Sequence, residues 1–137
     1  MPTIADTGYL IALADTKDTH HQSALDVAGA VSDTIILPVT VLPEICYLLD
    51  SRLGHDAMRQ FLTRLQVGPM HIESIVKSDL DRVSEILEQH QDARIDFVDA
   101  TIVALAERLN ITRIMAIDQR HFRLFRPRHC TTFEILP

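Results

Sequence analysis

Three short apolar segments of this chain each run into a single acid. They are Thr3-Ile4-Ala5-Asp6, Thr40-Val41-Leu42-Pro43-Glu44 and Arg113-Ile114-Met115-Ala116-Ile117-Asp118. A fourth acid, Asp99, heads the helix-like run Phe97 to Ala106. Carboxylates are seldom set among buried apolar residues unless something compensates their charge. A fold that buries these runs must therefore bring the acids out at its edges or gather them where their charge is balanced.

The order of elements indicates where those edges lie. Ile4-Ala5 reads as a short buried strand that stops at Asp6-Thr7-Gly8, followed by a helix through Leu10, Ile11, Leu13 and Ala14. Asp18 or Thr19 is placed to cap a second helix through Ala24, Leu25 and Ala28. Ile35-Ile36-Leu37 is a second strand, ended by Pro38. Thr40 then caps a helix with Pro43 in its first turn, an apolar face at Ile45, Leu48 and Leu49, and a stop at Gly54.

A further amphipathic helix runs from His55 to Leu65 through Met58, Phe61 and Leu62. Gly68-Pro69 interrupts the chain before a weak strand at Met70-His71-Ile72. Ser78-Asp79-Leu80-Asp81 resembles a capping-box start for a helix carrying Leu80, Val83, Ile86 and Leu87. The spacing of Val98, Ile102, Leu105 and Leu109 predicts a helix from Phe97 to Asn110. Ile114–Ile117 and Thr132–Leu136 complete five strands.

Short strands alternating with helices predict an α/β fold, a three-layer α/β/α sandwich around a central, mainly parallel sheet. At 137 residues the chain makes one domain, residues 1–137. In open parallel sheets, ligands bind outside the carboxyl ends of the strands. Asp6 and Asp118 end two strands, while Glu44 and Asp99 fall in first turns of helices, so all four can face one edge. Gathered there, they would raise one another's pKa values or require a cation, and hard oxygen donors select Mg²⁺ or Mn²⁺. That chemistry suits metal-dependent hydrolysis of phosphodiesters.

The net charge of −6 argues against simple nucleic-acid binding by a basic surface. Its distribution qualifies the point. Six arginines lie between Arg108 and Arg128, and Glu134 is the only acid after Asp118. This flank reads either as a polyanion grip, with Arg120, Arg123 and Arg126 as candidate RNA contacts, or as an ordinary solvated surface. Cys46 and Cys130 are isolated and read as reduced packing residues of a cytoplasmic protein. No basic leader precedes the first apolar stretch, and no apolar run approaches the ~20 residues of a membrane helix. A secretory signal and a membrane partner are therefore not expected.

The segments Ile4-Ala5-Asp6-Thr7-Gly8, Pro43-Glu44, Val98-Asp99-Ala100 and Ile117-Asp118-Gln119-Arg120-His121-Phe122, in this order and spacing, resemble the PIN-domain family. The resemblance is strongest to the VapC-type toxin ribonucleases of bacterial type II toxin–antitoxin systems, and it spans essentially the whole chain. It implies that Asp6, Glu44, Asp99 and Asp118 form a Mg²⁺ or Mn²⁺ site for RNA hydrolysis. Asp6 and Asp99 are the first candidates for direct ligands, with Glu44 and Asp118 acting directly or through water. It also implies a homodimer and inhibition by a VapB-like antitoxin.

Two positions depart from the family pattern. Ala116 stands where relatives commonly carry Ser or Thr, and Gly8 where they often carry Ser, although Thr7 still offers a hydroxyl. Asp96 is an extra acid, read as a helix cap with a possible auxiliary role at the metal site. None of the seven histidines is assigned to metal; His121, next to Phe122, reads either as reaching the active-site rim or, the preferred reading, as packing beneath the arginine-bearing segment. Other classes fit poorly. A haloacid-dehalogenase-like phosphatase needs a second acid where Gly8 stands and a late lysine, but Lys17 and Lys77 are the only lysines. The missing late lysine also weakens a phosphoacceptor receiver, and scattered glycines exclude a P-loop. The remaining alternatives are a PIN-like RNA- or protein-binding module that does not cut, and a housekeeping RNA-processing nuclease.

Overall fold

The computed structural model describes all 137 residues. Five strands, β1 (Thr3–Ala5), β2 (Ile35–Pro38), β3 (Met70–Glu73), β4 (Arg113–Met115) and β5 (Glu134–Leu136), form one sheet in the order β3-β2-β1-β4-β5. Every pairing is parallel, with Ile4 opposite both Ile36 and Ile114. The chain first builds outward from β1 through β2 to β3, then crosses to the other side of β1 for β4 and β5. This reversal opens a crevice at the carboxyl ends of β1 and β4, where open α/β sheets take their ligands.

The helices are α1 (Thr7–Ala14), α2 (His21–Ala30), α3 (Val41–Leu53), α4 (His55–Val67), α5 (Lys77–Gln89), α6 (Phe97–Leu109) and the short α7 (Arg120–Leu124). α1 packs against α2 and α3, α3 against α4, and α5 against α6. Every residue from Asp99 to Ala106 is buried, so α6 is enclosed on all sides rather than along one stripe. Its alanines at 100, 104 and 106 let neighbouring elements approach closely. No helix is long and apolar enough to cross a membrane.

Several helix ends differ in detail from the sequence expectation. Thr40 stands at the start of α3, but its hydroxyl pairs with that of Thr101 at 2.7 Å instead of capping α3. α5 begins at Lys77, one residue before the predicted start. The Asp79 carboxylate reaches back to the Val76 N–H at 3.0 Å and also receives Arg108 Nε at 3.0 Å. Leu80 and Leu25, predicted apolar-face residues, are exposed, and the core is instead reached by Val83, Ile86 and Ala24. Asp18 supports the turn before α2 by accepting the His20 N–H at 2.8 Å. Gly54 ends α3 and opens α4 with φ of 102°, a conformation L side chains rarely adopt.

Several arginines, in the flank and before it, are structural. Arg82 forks onto Glu107 with contacts of 2.7 and 3.0 Å, tying α5 to α6. Glu107 also accepts the Arg128 backbone N–H at 2.9 Å, which anchors the segment after α7. Arg113 pairs with Asp33 and Glu134 beside the sheet.

Candidate active site

Asp6 follows β1 directly, and its backbone N–H donates to the Met115 carbonyl at 2.9 Å. The sheet itself therefore sets Asp6 at the mouth of the β1–β4 crevice. Asp118 follows β4 on the same edge. Asp99 occupies the first turn of α6, and Glu44 the first turn of α3. These four acids line one cleft of about 330 Å³ together with Thr7, Asp18, Arg52, Asp96 and His121. The convergence expected from the sequence is present.

The charges are not equivalent. Burial pushes Asp6 up to about 7 from an ordinary 3.8, with Asp99, Glu44 and Asp96 adding repulsion. Asp99 is likewise raised by burial to about 6, against a lowering hydrogen bond from His121. Asp118 is held down at about 2 because the Arg120 guanidinium forks onto it at 3.0 and 2.7 Å. Carboxyls raised chiefly by burial, with like charges beside them in a cleft, point to a functional site.

Asp96 performs the capping role expected of it, accepting the Asp99 N–H at 2.8 Å at the start of α6. Its carboxylate also lines the cleft. His121 takes the less preferred of its two expected places: its Nδ1 lies 2.9 Å from Asp99 Oδ2, in the cleft rather than beneath the arginine-bearing segment. The available signal was proximity in the chain, since His121 follows Asp118 by three residues. Asp18 and Arg52 were also missed as cleft residues. Arg52 lies eight residues, just over two turns, after Glu44 on α3.

The three candidate RNA arginines separate. Arg120 stands at the cleft edge on Asp118, whereas Arg123 Nη2 donates to Gln119 at 2.7 Å. Arg126 donates to the Arg123 and Phe125 carbonyls and lines a different cleft with Arg82 and His90.

The donor set suits a hard divalent cation: several carboxylates, two of them raised by burial and mutual repulsion, and a hydroxyl. Thr7 Oγ1 is buried at the cleft and makes no hydrogen bond. No three acid, histidine or cysteine side chains form a ready-made coordination shell; Asp99 is turned to His121 and Asp118 to Arg120. A larger apolar groove of about 490 Å³ between α1, α3 and α4 offers no comparable chemistry, being walled chiefly by leucines, Phe61 and Met70.

Residues 3–126 match the PIN domain. The chain belongs to the PIN-domain family. Among curated proteins, this PIN domain is 29% identical over 134 residues to ribonuclease VapC26 of Mycobacterium tuberculosis (strain ATCC 25618 / H37Rv), covering 98% of this chain and 99% of that protein. In three dimensions it resembles the Mycobacterium tuberculosis toxin VapC20, described as cleaving the sarcin–ricin loop. The TM-score is 0.79 at 24% identity, covering 85% of this chain and 90% of that one. It also matches a chain of Rickettsia felis VapBC2, solved bound to a promoter DNA fragment, with a TM-score of 0.72 at 14% identity over the full length of both. These two structures support the fold.

Proposed function

We propose that this PIN domain is a VapC-type toxin, an endoribonuclease that hydrolyses RNA phosphodiesters with Mg²⁺ or Mn²⁺. The carrying observation is the gathering of Asp6, Glu44, Asp99 and Asp118 at the β1–β4 crevice, with Asp6 and Asp99 raised. The full-length similarity to a VapC ribonuclease supports the same reading.

Asp6 and Asp99 are the residues that would hold the cation, with Glu44 and Asp118 contributing directly or through water. When bound, a divalent cation supplies charge neutralisation and a water of lowered pKa. The protein does the rest. Asp96 fixes the first turn of α6 so that Asp99 faces the cleft, and His121 holds the Asp99 carboxylate in one orientation. Glu44 on α3 and Asp118 beyond β4 line the same cleft as Asp6 and would help orient an attacking water. Thr7 lines the cleft with a hydroxyl that is buried and has no hydrogen-bond partner.

Two partners belong to this reading. A VapB-like antitoxin would cover the apolar groove between α1, α3 and α4, and a second copy of the chain would make a homodimer. Light scattering of the purified chain, alone and with the product of a neighbouring small gene, reads both.

The test of the activity is cleavage of structured RNA by purified, antitoxin-free protein. Cleavage with Mg²⁺ or Mn²⁺ that stops on chelation is expected. Cleavage that survives exhaustive chelation would exclude the proposed chemistry.

A further inference from the structure

A polyanion entering this cleft meets six carboxylates: Asp6, Asp18, Glu44, Asp96, Asp99 and Asp118. A cation at the crevice can offset charge near the scissile phosphate, but it does little for phosphates farther along the strand, where ionic screening acts over about 8–10 Å. Those phosphates need their own positive group. Arg120 is committed to Asp118, Arg123 to Gln119, and Arg126 to backbone carbonyls outside the cleft.

Arg52 is differently placed. It lines the acidic cleft, is exposed, and forms no ion pair. The only other basic side chain lining the cleft, His121, is engaged with Asp99. Glu44, Leu48 and Arg52 follow one another at four-residue intervals along α3 and all line the cleft, which puts an acid at the reaction end and a guanidinium about 12 Å along the axis. A guanidinium presents a planar fork suited to two phosphate oxygens. Its position in the last turn of α3 also suits the helix dipole, but that role requires only positive charge and not an approach to the cleft.

We infer that Arg52 binds an RNA phosphate flanking the scissile bond, making α3 the wall along which the strand enters. This rests on the ribonuclease reading above and names a substrate contact within it. RNA is favoured over an acidic protein segment because the fork opens onto a cleft whose proposed work is on phosphodiesters.

The test is fluorescence anisotropy with a fluorescein-labelled RNA stem–loop, with Ca²⁺ replacing Mg²⁺, between 50 and 200 mM KCl as rough limits. Arg52→Gln should weaken binding about tenfold and reduce the slope of log affinity against log salt by about one, as loss of a phosphate contact does. Arg59→Gln, on α4 and paired with Asp56 outside the acidic cleft, should leave affinity and slope near wild type. Arg52→Lys keeps the charge at the helix end. It should retain the slope but bind several-fold more weakly, and it carries the test if the glutamine variant melts early. Wild-type affinity and slope in Arg52→Gln, or wild-type affinity in Arg52→Lys, would overturn the inference while leaving the ribonuclease reading intact. Absence of RNA binding by wild type would remove both.

Discussion

His121 and Asp99 form a pair across the cleft, with Nδ1 2.9 Å from Oδ2. One comes from α7 and the other from the buried helix α6, so this contact joins the edge of the site to its most enclosed element. With Asp99 ionised, Nδ1 carries the proton and donates. A carboxylate held this way presents its other oxygen in a fixed direction, as partners behind metal ligands commonly arrange.

Replacing His121 should separate orientation from bulk. His121→Asn can place an amide donor near the Nδ1 position, whereas His121→Leu keeps volume and removes the donor. We expect His121→Leu to lower Mn²⁺ affinity, measured by calorimetry, by about 10-fold or more, and His121→Asn to restore much of it. Equal metal affinity in wild type and the leucine variant would show that the pair does not position Asp99.

Metal-free protein should lose stability as pH rises. Asp6 and Asp99 titrate at about 7 and about 6 in the folded state, against an ordinary 3.8. Between these values the folded state holds protons that the unfolded chain has released, so stability falls as pH increases through this range. The melting temperature in chelator should decline from pH 5 to about pH 7.5 and then flatten. Asp6→Asn should reduce the slope and raise the metal-free Tm near pH 7.5 by on the order of 3 °C. Saturating Mg²⁺ should remove most of the decline in wild type. A Tm independent of pH across this window would contradict the raised carboxyls.

The parallel sheet and its edge were legible because short apolar strands stop at acids and helices lie between them. β1 ends next to Asp6, while β4 covers Arg113–Met115 and stops three residues short of Asp118, earlier than the strand Ile114–Ile117 expected from the sequence. Asp96 was readable as a cap because it stands three residues before Asp99, the N–H it accepts. What escaped is tertiary. Leu80 fits an amphipathic pattern, yet it is 44% exposed because α5 meets α6 through Val83 and Ile86. Thr40 fits a cap, yet its hydroxyl turns to Thr101 on α6. Arg120 and Arg126 look alike in sequence, and only packing shows that one stands on Asp118 and the other beyond the cleft.

The departure at Gly8 can be tested by addition. A Cβ built there would meet only the Ile117 Cβ, at 3.9 Å, an ordinary contact. Gly8 sits inside α1 at the cleft, where a side chain also removes the entropic cost of glycine in a helix. Gly8→Ser should fold, melt at or slightly above the wild-type temperature, and retain cleavage. A lower Tm by several degrees would show that the backbone there is more confined than the 3.9 Å contact allows.

The last prediction separates Asp99 from Asp96, two acids three residues apart lining the same cleft. Asp96 is exposed, and its carboxylate is engaged with the Asp99 N–H; Asp99 is buried, raised to about 6 and held by His121. Asparagine caps a helix about as well as aspartate, so Asp96→Asn should keep α6 intact and activity within about tenfold. Asp99→Asn keeps the shape but removes the charge proposed to hold the cation. It should fold, gain metal-free thermal stability near neutral pH, and lose on the order of 10²–10³-fold in rate. Both variants should be assayed at one Mn²⁺ concentration beside their melting curves. A dead Asp96→Asn with normal melting, alongside an active Asp99→Asn, would move the metal-binding role to the capping residue and make Asp99 a buried structural acid.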